Sequence, residues 1–168
     1  MEQIGEKSNL IVRMLAELPY APSPMDVIDA ALDMAELNRG DVFADLGCGD
    51  GVVLTRAAER FAVFCVGFEI DRRLARVARE NAKLAGLRKL IDVVYSDLFK
   101  VDLSRFNVIY AYPSPLIVRA LSERIVRECS KGSRILVHDY PLDYMHPVRV
   151  TRIPSHAVHT HTIYLYKR

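Results

Sequence analysis

Apolar residues recur along this chain with two different spacings. Five short runs, DVFADL at 41–46, VFCVGFE at 63–69, IDVVY at 91–95, FNVIYA at 106–111 and RILV at 134–137, set branched and aromatic residues side by side. Their length and composition predict buried strands. Between them apolar residues return every three or four positions, which predicts amphipathic helices. One runs from about Gly51 to Phe61. A second is capped by Asp71, has an inner face of Leu74, Val77, Ala78, Ala82 and Ala85, and ends at Gly86. A third is opened by Ser114 and Pro115, carries Ile117, Leu121 and Ile125, and stops near Gly132. Nearer the N-terminus, Asn9 to Leu18 has helical spacing and is broken by PYAPSP at 19–24. There Ser23 is placed to cap a further helix, with Pro24 at its first position, Asp26 in its first turn and Gly40 beyond its end.

Strand and helix alternate through most of the chain, the signature of an α/β fold with a doubly wound, mostly parallel sheet. The end departs from that rule. VRVTRI at 148–153 and HTHTIYLY at 159–166 are strand-like, and only Pro154, Ser155 and their neighbours join them, so they predict an antiparallel hairpin at the sheet edge. With 168 residues and 51% hydrophobic content the chain fills one core. The expectation is a single domain over 1–168, with a helical cap over 1–40 and a Rossmann-like core over 41–168.

Charge changes this picture little. The 23 basic and 21 acidic residues are interspersed, leaving +2 and no polybasic arm. Nothing in the charge argues for a nucleic-acid partner, which stays open. The longest apolar run, Phe61 to Phe68, is far short of a membrane span, and MEQIGEKSN has no signal-peptide pattern, so a cytoplasmic protein with no membrane partner is expected. Cys48, Cys65 and Cys129 form no C-x-x-C pair and read as small buried residues. Of the three, only Cys48 lies inside the glycine turn.

That turn, DLGCGDG at 45–51, follows the first strand and opens a helix, which is how an open α/β sheet builds a ligand crevice at its carboxyl edge. Dinucleotide folds use G-x-G-x-x-G. Gly47, Gly49 and Gly51 make G-x-G-x-G instead, with Val52 in the next place, so pyrophosphate is not the best fit. Three acids at the carboxyl ends of successive strands decide the ligand. Asp45 precedes the turn, Glu69 stands where such sheets hold ribose hydroxyls, and Asp97 is placed to accept from an adenine amine. No lysine or arginine is expected to face the crevice. A ligand with hydroxyls, amines and a sulfonium fits this set, and that ligand is S-adenosylmethionine.

DLGCGDG, GFEID and SDLF, in this order, resemble the first three motifs of the class I, seven-stranded S-adenosylmethionine-dependent methyltransferases. The resemblance implies that the methionine end of the cofactor lies against Gly47, Cys48, Gly49 and Gly51 and the ribose against Glu69. It places adenine between Ile70 and the turn of Asp97 and Leu98, with Ala111 also at the cofactor.

The acceptor is normally set after strand four, here AYPSP at 111–115. Enzymes that methylate a base amine carry Asn or Asp, two prolines and an aromatic there. Ala111 offers no acceptor side chain and Ser114 no stacking ring, which argues against base methylation, although Tyr112 and Pro113 keep it open. PYAPSP, DLSRFNVIYAYPSP and the closing HTHTIYLY resemble the small archaeal protein lysine methyltransferases and their single-domain mitochondrial relatives. In that family a Tyr-x-Pro-Thr/Ser segment folds over the cofactor, which implies Tyr20, Pro22 and Ser23. A lysine side chain of a protein substrate is then the expected acceptor. RNA, a small molecule, or a non-catalytic S-adenosylmethionine-binding module are the alternatives.

Tyr112, Ser114 and Tyr20 are the catalytic candidates, with hydroxyls able to orient an amine; each reads equally as packed aromatic or helix cap. His138 either lines the acceptor mouth as a base or bonds its own loop. His156, His159 and His161 alternate near the chain end, so that two share a face, but no carboxylate or cysteine accompanies them at ligand spacing and no metal site is expected. Eight tyrosines and the hairpin edge leave monomer and weak homodimer both open.

Overall fold

The computed structural model describes residues 20–154 and 159–168; the helix expected over Asn9–Leu18, and His156, lie outside them. Its elements are α1 (Met25–Ala35), β1 (Val42–Leu46), α2 (Val52–Phe61), β2 (Phe64–Glu69), α3 (Arg72–Leu84), β3 (Ile91–Tyr95), β4 (Val108–Ala111), α4 (Val118–Glu128), β5 (Arg134–His138), β6 (Arg149–Pro154) and β7 (Thr160–Lys167). Two short 3₁₀ turns, Leu98–Lys100 and Leu103–Arg105, lead into β4.

The seven strands lie in the order β3-β2-β1-β4-β5-β7-β6. β1 to β5 are parallel, and β7 runs antiparallel between β5 and β6. Strand order reverses direction between β1 and β4, and the crevice at that switch point is where such sheets bind ligands.

Period-two alternation divides the core. Phe43, Tyr110 and Leu136 join α1, α2 and α3 on one face, through Val27, Ile28, Leu32, Leu54, Ala57 and Ala78. Ala44, Ile109, Ile135 and Tyr166 meet Leu121 and Ile125 of α4 on the other. Helix α1 thus packs into the same core as the sheet. Arg134 of β5 ties it there, pairing with Asp41 at 2.6 Å and donating to the carbonyls of Ala35 and Glu36 at the helix end.

Glycine is required in two places that position the site. Gly51 caps α2 at φ 80°, and a Cβ there would stand 3.0 Å from the Ala78 Cβ and 3.2 Å from its Cα, so the closeness of α2 to α3 depends on it. A Cβ on Gly67 of β2 would meet Leu54 and the Cys48 sulfur at 2.4 and 2.6 Å.

Several local expectations are corrected. Ser23 makes no cap bond, because its hydroxyl is drawn into a tertiary network; Pro24 is the N-cap, and α1 ends at a left-handed Glu36 before Gly40 is reached. On α3 the buried face is Ala75, Ala78 and Ala82, while Leu74 and Val77 turn toward the crevice. Helix α4 starts at Val118, since Ser114 accepts from the Leu116 N–H in a preceding turn. Asp71 does cap α3, accepting from the Arg73 N–H at 2.7 Å.

Candidate active site

A cleft of about 920 Å³ opens along the carboxyl ends of β1 to β4, within the range of small-molecule sites. On its floor, parallel register sets Asp45 of β1 beside Gly67 of β2 and Tyr110 of β4. Asp45 is 2% exposed, and burial, with Glu69 and Asp50 close by, pushes its carboxyl well above the usual carboxylate range. A cation brought here would relieve that penalty.

The turn after β1 is held from below. Gly47 and Cys48 donate their N–H groups to the Phe68 carbonyl at 2.8 and 3.0 Å. Glu69 holds the turn from the side: one carboxylate oxygen accepts from the Gly49 N–H and the other from the Asp71 N–H, both at 2.8 Å. Each oxygen keeps a lone pair for a hydroxyl. Gly47, at φ 86°, has no atom within 4 Å of where a Cβ would stand, so its backbone is open to a ligand.

Among the remaining expected residues, Cys48, Ile70, Asp97 and Leu98 line the cleft, Asp97 while accepting from the Phe99 N–H. Gly49 and Gly51 do not line it; their α-carbons face the Tyr20 ring and Ala78. Ala111 is buried at the end of β4, and Pro22 is exposed, both outside the lining. The expectation of no crevice-facing arginine is corrected: Arg73 stands at the rim, paired with Asp71 at 2.9 Å, because the cap of α3 turns it there.

Tyr20 and Ser23 line the cleft from the segment before α1. The Tyr20 hydroxyl donates to Asp50 at 2.8 Å, and burial and that carboxylate push its pKa up. Across the cleft stand Tyr112, Pro113, Ser114 and Pro115. Tyr112 donates to Asp139 at 3.0 Å, and burial together with Asp139 pushes it up to about 12. Both phenols thus stay protonated with their O–H groups directed at carboxylates, leaving oxygen lone pairs to accept from an amine.

Sequence reasoning missed Tyr110. Its hydroxyl lies 3.2 Å from Ser23 Oγ and 3.1 Å from His138 Nδ1, and Ser23 is itself 3.2 Å from that nitrogen. Burial lowers His138 to about 4, so the ring is neutral near pH 7. His138 lies outside the cleft lining, stacked on Tyr112 at 3.8 Å between ring centres. Asp50, Asp139 and Tyr140 were also missed. The one available signal was register: Asp45 and Tyr110 are partners in adjacent strands.

A 3-2-1-4-5-7-6 sheet, a glycine turn at its switch point and acids ending β1 and β2 define a class I S-adenosylmethionine-dependent methyltransferase. The cofactor fits the residues present: a buried Asp45, with the carboxylates of Glu69 and Asp50 near it, for its cationic end, free lone pairs on Glu69 for its hydroxyls, and an open Gly47 between them. The chain belongs to the ANTKMT methyltransferase domain family, which matches residues 45–149.

A protein-lysine N-methyltransferase of Saccharolobus islandicus (strain REY15A) is 30% identical over 150 residues, 89% of this chain and 92% of that protein. The adenine nucleotide translocase lysine N-methyltransferase of Mus musculus is 25% identical over 153 residues, 88% of this chain, which spans 66% of that protein's length. A crystal structure of an RNA methyltransferase from Salinibacter ruber with S-adenosyl-L-homocysteine has a TM-score of 0.80 and 33% identity, covering 88% of this chain and 93% of that one. The protein is therefore a methyltransferase, and its cofactor is S-adenosylmethionine.

Proposed function

We propose that this enzyme methylates a lysine side-chain amine on a protein substrate. The observation that carries the reading is the acceptor wall: two phenols facing the cleft with their hydroxyls donating to Asp50 and Asp139, beside Pro113, Ser114 and Pro115, with Ala111 where a base methylase would carry an amide or carboxylate. The lysine specificity of the archaeal and mouse relatives supports it.

When bound, S-adenosylmethionine supplies an electrophilic methyl group on a cationic sulfur. The work of the chain is to hold donor and nucleophile in line, which accounts for most of the acceleration in a displacement of this kind. Neutralising a lysine at pH 7 costs about 4–5 kcal/mol from its free pKa, and the apolar wall lowers that cost by desolvation. Tyr20, Tyr112 and Ser114 orient the amine through their oxygens, while Asp45 and Glu69 anchor the cofactor.

The reading extends to one archaeal-type catalytic domain over 1–168, supported by the 92% coverage of the archaeal relative. It places the enzyme in the cytoplasm, in keeping with three free cysteines. No helix among the described residues is long and apolar enough to cross a membrane.

A second reading, RNA as acceptor, is favoured by the Salinibacter likeness. Radiolabelled S-adenosylmethionine incubated with the enzyme and cell extract, followed by separate protease and nuclease digestion, distinguishes the two. Protease-sensitive, nuclease-resistant label that appears as methyllysine on hydrolysis supports the proposal, and nuclease-sensitive label replaces it with the RNA reading.

A further inference from the structure

Beyond Tyr112, outside the cleft lining, lies a cluster of histidines that meets the acceptor wall through Asp139. His138 ends β5, Asp139 follows in the left-handed conformation at φ 60°, and His159 and His161 approach from β7 and the residue before it. The expectation that no carboxylate accompanies these histidines is corrected by Asp139, which antiparallel pairing of β5 with β7 brings to them.

Three ligand atoms form a compact triangle. His138 Nε2 is 2.9 Å from His161 Nδ1, His161 Nδ1 is 3.1 Å from Asp139 Oδ2, and His138 Nε2 is 3.5 Å from that oxygen. Ligands at the corners of a tetrahedron, each about 2.0–2.1 Å from a zinc ion, stand about 3.3–3.4 Å apart. The triangle has the dimensions of one face of such a tetrahedron. His159 Nε2 lies 3.2 Å from the same Asp139 oxygen on the solvent side, outside the compact group of three, and its side chain, 63% exposed, is free to turn in as a fourth ligand.

The surroundings orient these atoms as metal sites do. Ser23 and Tyr110 hold Nδ1 of His138, which turns its Nε2 to the triangle. The Thr162 N–H donates to Asp139 Oδ1 at 2.8 Å and leaves Oδ2 facing the histidines. Oδ2 is thus crowded by Tyr112, His159 and His161 at 3.0–3.2 Å, more nitrogen and oxygen neighbours than one carboxylate oxygen ordinarily gathers. The side chains of His138, Asp139 and His161 are 0%, 8% and 12% exposed, so an ion here is largely shielded from water.

We propose that His138, Asp139 and His161, with His159 as the solvent-side ligand, bind one divalent transition-metal ion of the zinc class. Three imidazoles and one carboxylate favour zinc over magnesium or calcium, which prefer oxygen sets. The ion is structural. It pins β7 to the end of β5 and fixes Asp139, and through Asp139 and His138 it sets Tyr112 against the cleft. The site stands whether the methyl acceptor is protein or RNA.

The test uses the untagged full chain, stripped with a chelator and titrated with Zn²⁺ against a competing indicator, then with Co²⁺ as a visible probe of coordination. The expected result is one ion per chain and the intense absorption of tetrahedral cobalt. His161→Ala and Asp139→Asn should each weaken binding at least about 100-fold, and His159→Ala about tenfold, by extension of the losses seen when supporting groups are removed. Because His159 is exposed, its variant keeps the test readable even if the others fold poorly. Absence of stoichiometric binding to the wild-type chain, or binding unchanged across the three variants, overturns the proposal.

Discussion

At the carboxyl ends of β1 and β2 the site is assembled from near neighbours: the carboxylate that braces Gly49 is 20 positions away, and the same Glu69 reaches Asp71 two positions on. Across the cleft, at β4, β5 and β7, the partners are distant, Ser23 lying 115 positions from His138 and Tyr112 lying 27 from Asp139. The first region works through the backbone of one turn and the carboxylates that flank it. The second is a web of hydroxyls and imidazoles from four segments that meet only after the sheet has formed. A turn of this kind suits a cofactor that does not vary, whereas a web can be rebuilt residue by residue for a new acceptor.

The largest effect should fall on the turn. Gly49→Val places a Cβ 2.2 Å from the Tyr20 ring at φ 55°, so strain of about 1–3 kcal/mol adds to the clash. S-adenosylmethionine affinity, read by calorimetry, should drop at least about 100-fold. Near-normal binding would separate the turn from the cofactor and dissolve the contrast.

Next is Asp45. On the proposed reading its charged form binds the cationic end of the cofactor, while burial beside Glu69 and Asp50 raises its pKa in the free protein. Affinity should therefore increase with pH as Asp45 ionises. Asp45→Asn should flatten that dependence and weaken binding about 10- to 100-fold, the worth of a charged hydrogen bond. A wild-type affinity independent of pH between acid and neutral would count against Asp45 as the anchor.

On the acceptor side, Tyr112→Phe should leave cofactor affinity within about twofold, while kcat falls about tenfold, or about 1.4 kcal/mol. Equal losses in both would merge the two regions into one.

The smallest effect lies away from both. Glu128 is held down to about 2, chiefly by its hydrogen bonds to Arg124, whose guanidinium also reaches the carbonyls of Leu98 and Val101. Its folded pKa is depressed, so its stabilising contribution is present above the ordinary glutamate range and is lost as pH falls from there toward 2. The pair is partly exposed, so Glu128→Gln should cost below about 1 kcal/mol at neutral pH, and the cost should shrink as pH falls toward 2 and vanish below it in chemical denaturation. Cofactor affinity should not change, which keeps this brace apart from either region.

Legibility followed the same division. The strand, turn and helix that carry Asp45 and Gly47, and the strand that ends at Glu69, were legible because these are local patterns, and β3 spans Ile91–Tyr95 as its run of branched and aromatic residues predicts. Ser23 reads as a cap because a serine before Pro24 satisfies the local rule, and only the arrival of Tyr110 and His138 gives its hydroxyl other partners. On α3, spacing alone could not tell that Leu74 and Val77 border a cleft rather than the core, because helical period reports an apolar stripe and not what covers it.

By itself, then, the sequence determined the order of strands and helices, the antiparallel end, the glycine turn and two of its acids, since these depend on backbone preference and apolar period over a few residues. Tertiary structure alone decided that Tyr110 shares the floor with Asp45, that the Tyr112 hydroxyl donates to Asp139, and that three histidines converge on that carboxylate. Strand register makes Asp45 and Tyr110 neighbours and brings Asp139, Tyr112 and the histidines into contacts of 2.9–3.5 Å, and register between strands far apart in the chain is set by the packing of the whole sheet.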